Sequence, residues 1–583
     1  MEDSNSFQDN NPIYPIDLSI FKDQIRQTLL NILDTLPQEE KTLVLEKSCI
    51  SKLNYLTSLE PLKERQVRKE LIVLKSSTFV SDSPIIIYII TPQLENMKII
   101  EKHIENNTKE SNEIQDKESF NKYHLIFIPK ISGECYSFIN DSKYKSYFNI
   151  HILNIDIYQL DYDLLSLENK NSFRDIYIDK NLNSLSSLSR AIIKYETVFG
   201  KIKYKYSKGF YSKKLVEILN REEDTSNNLN NENETLACFI FDRNVDMITP
   251  LCTNYVYEGL LDDYLGIDFN TIYVPPKILE KESKVDNIKI DLSEKDKFYS
   301  SVKDFNFKKI KTFFPERLAE LNKGDLEKEK KLEKVSLTNH IKLSDYISNN
   351  QKIPIFKYYQ NLEKSLLKGE LPNKIHDFIE DEMGKKANEY NLLKMICLES
   401  IIHSGIKYKI YEQIKKDFLN TYGYKEIFLW HNLEKIEILK PQDNNSFYSE
   451  ANKKLQLVLE DADINEQSDI SYTYNGYAPM IVKLIEKALS QGGWNSIRDL
   501  LRKIPGQTNF PSEESDIYST SVDKQFILLV FIGGITYGEL AAIRLLNKKN
   551  RNKKFIVLTT GMINTKKIFD SLKKGEYRLE DKS

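Results

Sequence analysis

The segments LACFIFDRN from Leu236 and KQFILLVFIGG from Lys524 lie far apart in the chain, and each opens with an apolar run of strand length. A run without polar alternation must be covered on both faces, as in the middle of a parallel sheet. The arrangement that buries both is one sheet assembled from the two segments, with everything between them inserted as another domain. The second segment continues through LLVFIGG, TYGELAAIRLLNKK and KKFIVLTTG, which spells strand, helix, strand, joined by the right-handed connection such units take.

At 583 residues the chain has room for several compact units. Lys plus Arg total 83 against 86 Asp plus Glu, a net charge of -3, which gives no reason to expect bulk nucleic-acid binding or a strongly basic membrane-facing surface; any electrostatic partner must be met locally. The start, MEDSNSFQDNNPIYPIDL, has neither the basic nor the apolar region of a secretory signal, so a cytosolic protein is expected. The nearly apolar stretch Phe526 to Ile535 is far below the roughly 20 residues that span a bilayer. Five cysteines at 49, 135, 238, 252 and 397 form no C-x-x-C pair, which argues for reduced, buried thiols rather than a zinc site or disulfides.

Before His151, helix and strand signals alternate: a periodic segment Phe21 to Leu33, a strand IIIYII at Ile85, a helix Leu94 to Ile104 and a strand HLIFIP at His124. The polar run Asn106 to Lys122 reads as a surface connection. A second α/β unit follows, with a helix from about Leu185 to Phe199 stopped by Gly200. Between roughly Asp268 and Leu500 strand signals thin out and helical ones dominate; Ile406, Ile410, Ile414 and Phe418 recur every four residues, with Gly405 and Gly423 where C-terminal caps belong. KGDLEKEKKLEK at Lys323 reads as a solvated helix face or flexible link.

Two enzyme readings arise. Asp161 and Asp163 in LDYDLLS stand two apart, as carboxylates that share a divalent ion do in metal-dependent transferases; the alternative is that one caps a helix beginning at Leu164. Gly533, Gly534 and Gly538 lie between strand and helix, where phosphate can approach a helix N-terminus. Their spacing is not G-x-G-x-x-G, and Glu539 would repel phosphate, so structural glycines are expected. No G-x-S-x-G elbow or paired histidines at i, i+4 occur, and a non-enzyme is favoured. In FIFDRNVDMITPL, the strand-end Asp242 and Arg243 can pair with each other, with loop amides or across a domain boundary, an architectural role shared with Asp246, Thr249 and Pro250. YEGLLDDYLG puts Tyr257, Leu260, Leu261 and Leu265 on one helical face.

LLSLE at Leu164, FDRNVDMITPL at Phe241, YEGLLDDYLGI at Tyr257, TYGYKEIFLWHNLEK at Thr421, DISYTYNGYAP at Asp469, GGWNSIRDLLRKIPG at Gly492 and FIGGITYGELAAIRLL at Phe531 occur in this order. With these motifs the chain resembles the SM (Sec/Munc) family of SNARE-binding proteins, in its vacuolar branch. The resemblance implies an α/β plus α fold: an arch of an N-terminal α/β domain (1–155), a split central α/β domain (156–267 and 500–583) and an inserted, mainly helical domain (268–499). It marks Asp242, Arg243, Asp246, Pro250, Glu258 and Gly259 as family-motif residues. It also implies no catalysis, no cofactor and no metal.

The function implied is that of a SNARE chaperone. Residues 268–372, chiefly Val335 to Gly369, would face SNARE helices and lower their ordering entropy. The stretch between FNFKKIKTFF and NHIKLSDYI is shorter than the helical hairpin of relatives. Residues 373–499 would carry the site for a helical tethering subunit, vacuolar protein sorting-associated protein 16, within HOPS and CORVET complexes, with Tyr424 and Ile427 on one helix as apolar anchor and Lys415 as rim charge. Nucleic acid is not an expected partner. Membranes of the late endosome, lysosome or vacuole are met only indirectly, through those partners.

Overall fold

The computed structural model describes residues 16–573 apart from 69, 76–78, 111–121, 226–233, 283–285, 323–327, 372–374, 444–446, 460–466, 491, 511–524 and 551. The chain forms two compact units, Ile13–Tyr162 and a second that takes in Asp163–Ser583.

The first unit is built on parallel strands Lys41–Leu45 (β1), Ile72–Val73 (β2), Ile85–Ile90 (β3), Tyr123–Phe127 (β4) and Phe148–Ile152 (β5), in the order β2-β1-β3-β4-β5. Every residue of β1, β3 and β4 is buried, as continuous apolar runs require. The helix Leu94–Glu110 crosses from β3 to β4 and lays Met97, Ile100 and Ile104 on Tyr88, Leu125 and Phe127. It runs past Ile104 into the polar stretch read as a surface connection. The reason is Asn107, a polar residue at a core-facing position: its side chain accepts from the Ser81 amide and donates to the His103 and Phe79 carbonyls, so the helical face continues without an apolar signal. Residues 111–121 of that stretch lie outside the described residues. At the strand ends, Glu46 accepts from the Thr91 amide and hydroxyl and from Asn96, tying β1 to β3. Burial pushes its carboxyl up, but these bonds together with Ser48 outweigh it and hold the group below its usual range. A short strand, Tyr158–Asp161 (β6), ends the unit.

In the second unit both apolar runs enter one sheet. Its strands are Leu164–Ser166 (β7), Lys201–Lys208 (β8), Glu234–Asp242 (β9), Thr508–Asn509 (β12), Gln525–Ile532 (β13) and Lys553–Thr559 (β14), in the order β12-β8-β9-β13-β14-β7. Strands β9 and β13 are parallel, with Leu529 opposite Phe239 and Ile532 opposite Asp242, so nearly three hundred residues of chain leave and return between adjacent strands. Trp494 from GGWNS packs edge-on against Tyr206, Phe239 and Phe241. Lys208, at the end of β8, donates to the Leu501, Ile504 and Gly506 carbonyls of LRKIPG; burial pushes this ammonium down to about 8.

The inserted stretch is mainly helical but also holds an antiparallel pair, Thr271–Val274 (β10) and Ile288–Asp291 (β11); β10 is only four residues long, and β11 alternates Ile288 and Ile290 with Lys289 and Asp291, so neither forms a long apolar run. The helix containing Ile410, Ile414 and Phe418 spans Tyr408–Tyr422 and stops at Gly423 in a left-handed conformation. Ile406 lies outside it: its amide and carbonyl bond Lys440 and Gln442, and the buried face is Tyr411, Ile414, Phe418 and Leu419.

Candidate functional site

The motif D-R-x-x-D is the centre of a buried polar assembly at the ends of β9 and β13. Asp242 and Arg243 do not pair with each other. The Asp242 carboxylate accepts the amides of Tyr211 (2.8 Å) and Ser212 (2.7 Å) in the first turn of the helix Phe210–Thr225. This contact requires Gly209, whose φ is +132° and at which a Cβ would stand 2.1 Å from the Asp242 Cγ. Burial nonetheless pushes the Asp242 carboxyl up to about 7, with the two amides opposing.

Arg243 turns the other way. Its Nη1 donates to both Glu539 oxygens at 2.9 Å, and its Nε and Nη2 donate to the Asp246 carbonyl at 3.0 and 2.6 Å. Burial disfavours its charge, but Glu539 and Asp246 outweigh this and hold it charged. Asp246 accepts from the Thr249 amide and hydroxyl and from the Met480 amide, which fastens the helix Met480–Ala488 of the inserted stretch. Pro250, in the single turn Thr249–Leu251, presents its carbonyl to the Thr565 hydroxyl. Glu539 does not face a phosphate site: it closes a capping box with Thr536 at the start of the helix Tyr537–Lys549. Gly538 is needed because a Cβ there would meet the Tyr474 hydroxyl at 2.5 Å.

A second buried cation, Arg544, was not singled out by the sequence. Its Nε and Nη2 donate to Asp163 at 3.1 and 3.0 Å, and its Nη1 donates to Asp304 at 2.8 Å and Glu258 at 3.4 Å. The Tyr299 hydroxyl donates to the other Glu258 oxygen at 2.7 Å. Glu258 of YEGLLDDYLG is therefore a charge partner, and Gly259 beside it leaves room for Asn254, whose amide would lie 2.1 Å from a Cβ. Asp163 neither caps a helix nor turns to a metal: Leu164–Ser166 is a strand, and both Asp163 oxygens face Arg544. Asp161 accepts its neighbour Tyr162 amide. Among the described residues no group of three or more His, Cys, Asp or Glu side chains is placed to hold a metal ion, and none of their helices is long and apolar enough to cross a membrane.

The residues expected from the sequence to form a partner site, Lys415, Tyr424 and Ile427, lie in the inserted stretch. Tyr424 is 70 % exposed and Ile427 42 %, and Phe428, missed by the spacing argument, is 44 % exposed. Tyr424 lies in a single 3₁₀ turn, Tyr424–Glu426, and Ile427 opens the helix Ile427–Lys435, so the two are not on one α-helix as expected. Gly423 ends the preceding helix one residue too early for that. Lys415 pairs with Glu434 at 2.6 Å, and Glu434 also accepts from Tyr411 and Trp430. On the helix Lys328–Gln351, Leu332 is 66 % and Val335 58 % exposed.

The Sec1 family model matches residues 41–571. The chain belongs to the Sec1 family. Within it, the vacuolar protein-sorting-associated protein 33 homolog of Arabidopsis thaliana is 28 % identical, with 94 % of this chain and 96 % of that protein covered. Vacuolar protein sorting-associated protein 33A of Rattus norvegicus is 27 % identical over the same shares. Among solved structures, the SM protein Vps45 in complex with the Qa SNARE Tlg2 superposes with a TM-score of 0.60 at 14 % identity, covering 96 % of this chain and 98 % of that one. The Unc18–syntaxin 1 complex of Monosiga brevicollis gives 0.59 at 13 %, covering 96 % and 99 %. The SM fold is thus shared at low identity, and the buried assemblies around Arg243 and Arg544 belong to a Sec1-family protein.

Proposed function

We propose that this Sec1-family chain is a SNARE chaperone and a subunit of HOPS- or CORVET-type tethering complexes at endosomal or vacuolar membranes. The observation that carries the reading is the near-full-length similarity to proteins named for vacuolar protein sorting. The shared fold of SM proteins solved with Qa SNARE Tlg2 and with syntaxin 1 supports SNARE binding. No bond chemistry is assigned to it: the charged side chains of its family motifs are engaged in fixing the fold.

The inserted domain (268–499) has two surfaces in this reading. The part 268–372 faces SNARE helices, with exposed Leu332 and Val335 as apolar contacts. The part 373–499 receives a helical tethering subunit of the vacuolar protein sorting-associated protein 16 kind on Tyr424, Ile427 and Phe428, large apolar side chains of the sort that anchor interfaces. Lys415 then acts through its pair with Glu434 rather than as a separate rim charge.

The test is a pull-down of the purified chain with endolysosomal SNARE motifs and with the helical subunit. Capture of both supports the reading. SNARE capture without the helical subunit favours an SM protein of the Golgi or plasma membrane, and capture of neither removes it.

A further inference from the structure

The chain is close to neutral overall, yet positive charge stands uncompensated at one end of the helices Phe307–Leu321 and Lys328–Gln351. Lys308 and Lys311 lie on the first turns of one, Lys352 follows the last turn of the other, and Lys309 neighbours Lys548 at the end of the helix Tyr537–Lys549. Among the described residues none of these five takes part in an ion pair, whereas Arg317 on the same helix pairs with Glu320 and Glu333. Two of the lysines rest on aromatic rings. The Lys309 ammonium lies 4.1 Å from the Phe305 ring centroid and Lys311 4.9 Å from that of Phe307. Desolvation, followed by repulsion from Lys548 for Lys309 and from Lys352 and Lys308 for Lys311, pushes both ammonium groups below their usual range. Like charges crowded without counter-ions are the mark of a surface made to meet an anion.

The same end carries exposed aliphatic side chains. Pro354 at the first position of the helix Pro354–Leu367 turns the chain sharply after Lys352, and Ile353 (49 % exposed), Ile355 (37 %) and Tyr358 (43 %) stand at this turn with exposed Lys357 among them. Val335 is separated from Ile353 by 18 residues, mostly along one helix, which at 1.5 Å per residue is about 25 Å. This end is therefore a different place from the Leu332 and Val335 surface assigned to SNAREs.

We propose that this end of the inserted region docks directly on an anionic phospholipid bilayer, with Lys308, Lys309, Lys311, Lys352 and Lys548 at the headgroups and Ile353 and Ile355 in the interfacial layer. The combination favours a bilayer over an acidic protein segment, because the apolar side chains project from a turn rather than line a groove. Reversible membrane association takes two signals, a basic patch and an apolar insertion, and both occur here side by side. The inference goes beyond the proposed function, which brings the chain to membranes only through partners.

The experiment is flotation of the full chain with vesicles of phosphatidylcholine alone or with phosphatidylserine, without SNAREs or tethering subunits. Binding to the phosphatidylserine vesicles only, weakening as salt rises, is expected. The triple variant Lys308→Ala, Lys311→Ala, Lys352→Ala lowers partitioning by about a hundredfold, on the order of fivefold per lysine. The variant Ile353→Trp gives a second readout: the native Trp430 and Trp494 are both buried, so a blue shift on vesicle addition reports insertion at 353. Equal binding to both vesicle types, phosphatidylserine binding that the triple variant leaves intact, or no shift from Trp at 353 overturns the proposal. Absence of vesicle binding with retained capture of an acidic SNARE segment assigns the patch to a protein partner and also overturns it. The flotation outcomes leave the SNARE and tethering assignments untouched, because neither partner is present in that assay.

Discussion

Arg243 and Glu539 meet at 2.9 Å with both side chains fully buried, joining the end of β9 to the first turn of the helix after β13. These two segments are neighbours in space although nearly three hundred residues of chain lie between them. A buried pair of this kind adds little net stability over an apolar pair but fixes geometry, because breaking it leaves a lone charge in the core. Glu539→Ala is expected to destabilise the second unit by about 3–5 kcal/mol in denaturant unfolding. The double variant Arg243→Met, Glu539→Leu should recover most of that loss. A single variant with wild-type stability would show that the pair does not hold the split sheet together.

Arg544 holds three carboxylates from separate segments, and Asp304 and Glu258 both lie where the inserted stretch meets the sheet. Arg544→Leu leaves Asp163, Glu258 and Asp304 without their cation, and a loss of several kcal/mol is expected. Limited proteolysis should show new cleavage near Asp304 before the sheet itself unfolds. Unchanged cleavage would contradict an anchoring role.

Gly209 tests the strand-end geometry. With φ at +132° and the Asp242 side chain in the space of a Cβ, Gly209→Ala should cost more than the roughly 1–3 kcal/mol of backbone strain alone. The measurement is the thermal midpoint, which should fall by several degrees. A midpoint equal to wild type would mean that the helix Phe210–Thr225 shifts freely away from Asp242.

Asp242 also sets a pH dependence. Its folded carboxyl titrates at about 7, above the unfolded value near 3.8, so the folded state binds the extra proton between these values. Its contribution is fully present below about pH 4 and is lost as pH rises through about 7. The slope has a ceiling of about 1.4 kcal/mol per pH unit from this group. Asp242→Asn should therefore flatten the stability profile between pH 4 and 7, read from urea midpoints. A variant whose profile runs parallel to wild type would contradict the titration.

The parts of the fold that the sequence showed are those where one segment carries its own signal. The runs after Leu236 and Lys524 announce buried parallel strands because nothing polar interrupts them. Strand β8 is hidden by KIKYKYSK, where Lys201, Lys203 and Lys205 alternate with buried Ile202, Tyr204 and Tyr206 and blunt the apolar signal. β1 begins with Lys41, buried with its ammonium on the Glu39 and Arg65 carbonyls. The charge networks were half legible. Asp242 and Arg243 stood out as charges at a strand end, but the partners of Arg544 come from three distant segments and no local pattern joins them. The helix expected to begin at Leu164, with Asp161 or Asp163 as its cap, is instead a short strand, because LLS is equally apolar in either. The Tyr424 and Ile427 pair was found by spacing, while the 3₁₀ turn that separates them depends on Gly423 stopping the helix before it.

Tyr424, Ile427 and Phe428 are the exposed side chains on which a helical tethering subunit is proposed to dock, and the decisive measurement is the affinity of the purified chain for its own organism's helical tethering subunit, beside the Tyr424→Asp variant. A buried aromatic anchor contributes about 2 kcal/mol or more, so a loss of at least roughly thirtyfold in affinity is predicted, with an unchanged thermal midpoint. Equal affinity of the variant and wild type would contradict the partner surface. No affinity in either would remove this chain from the tethering complexes.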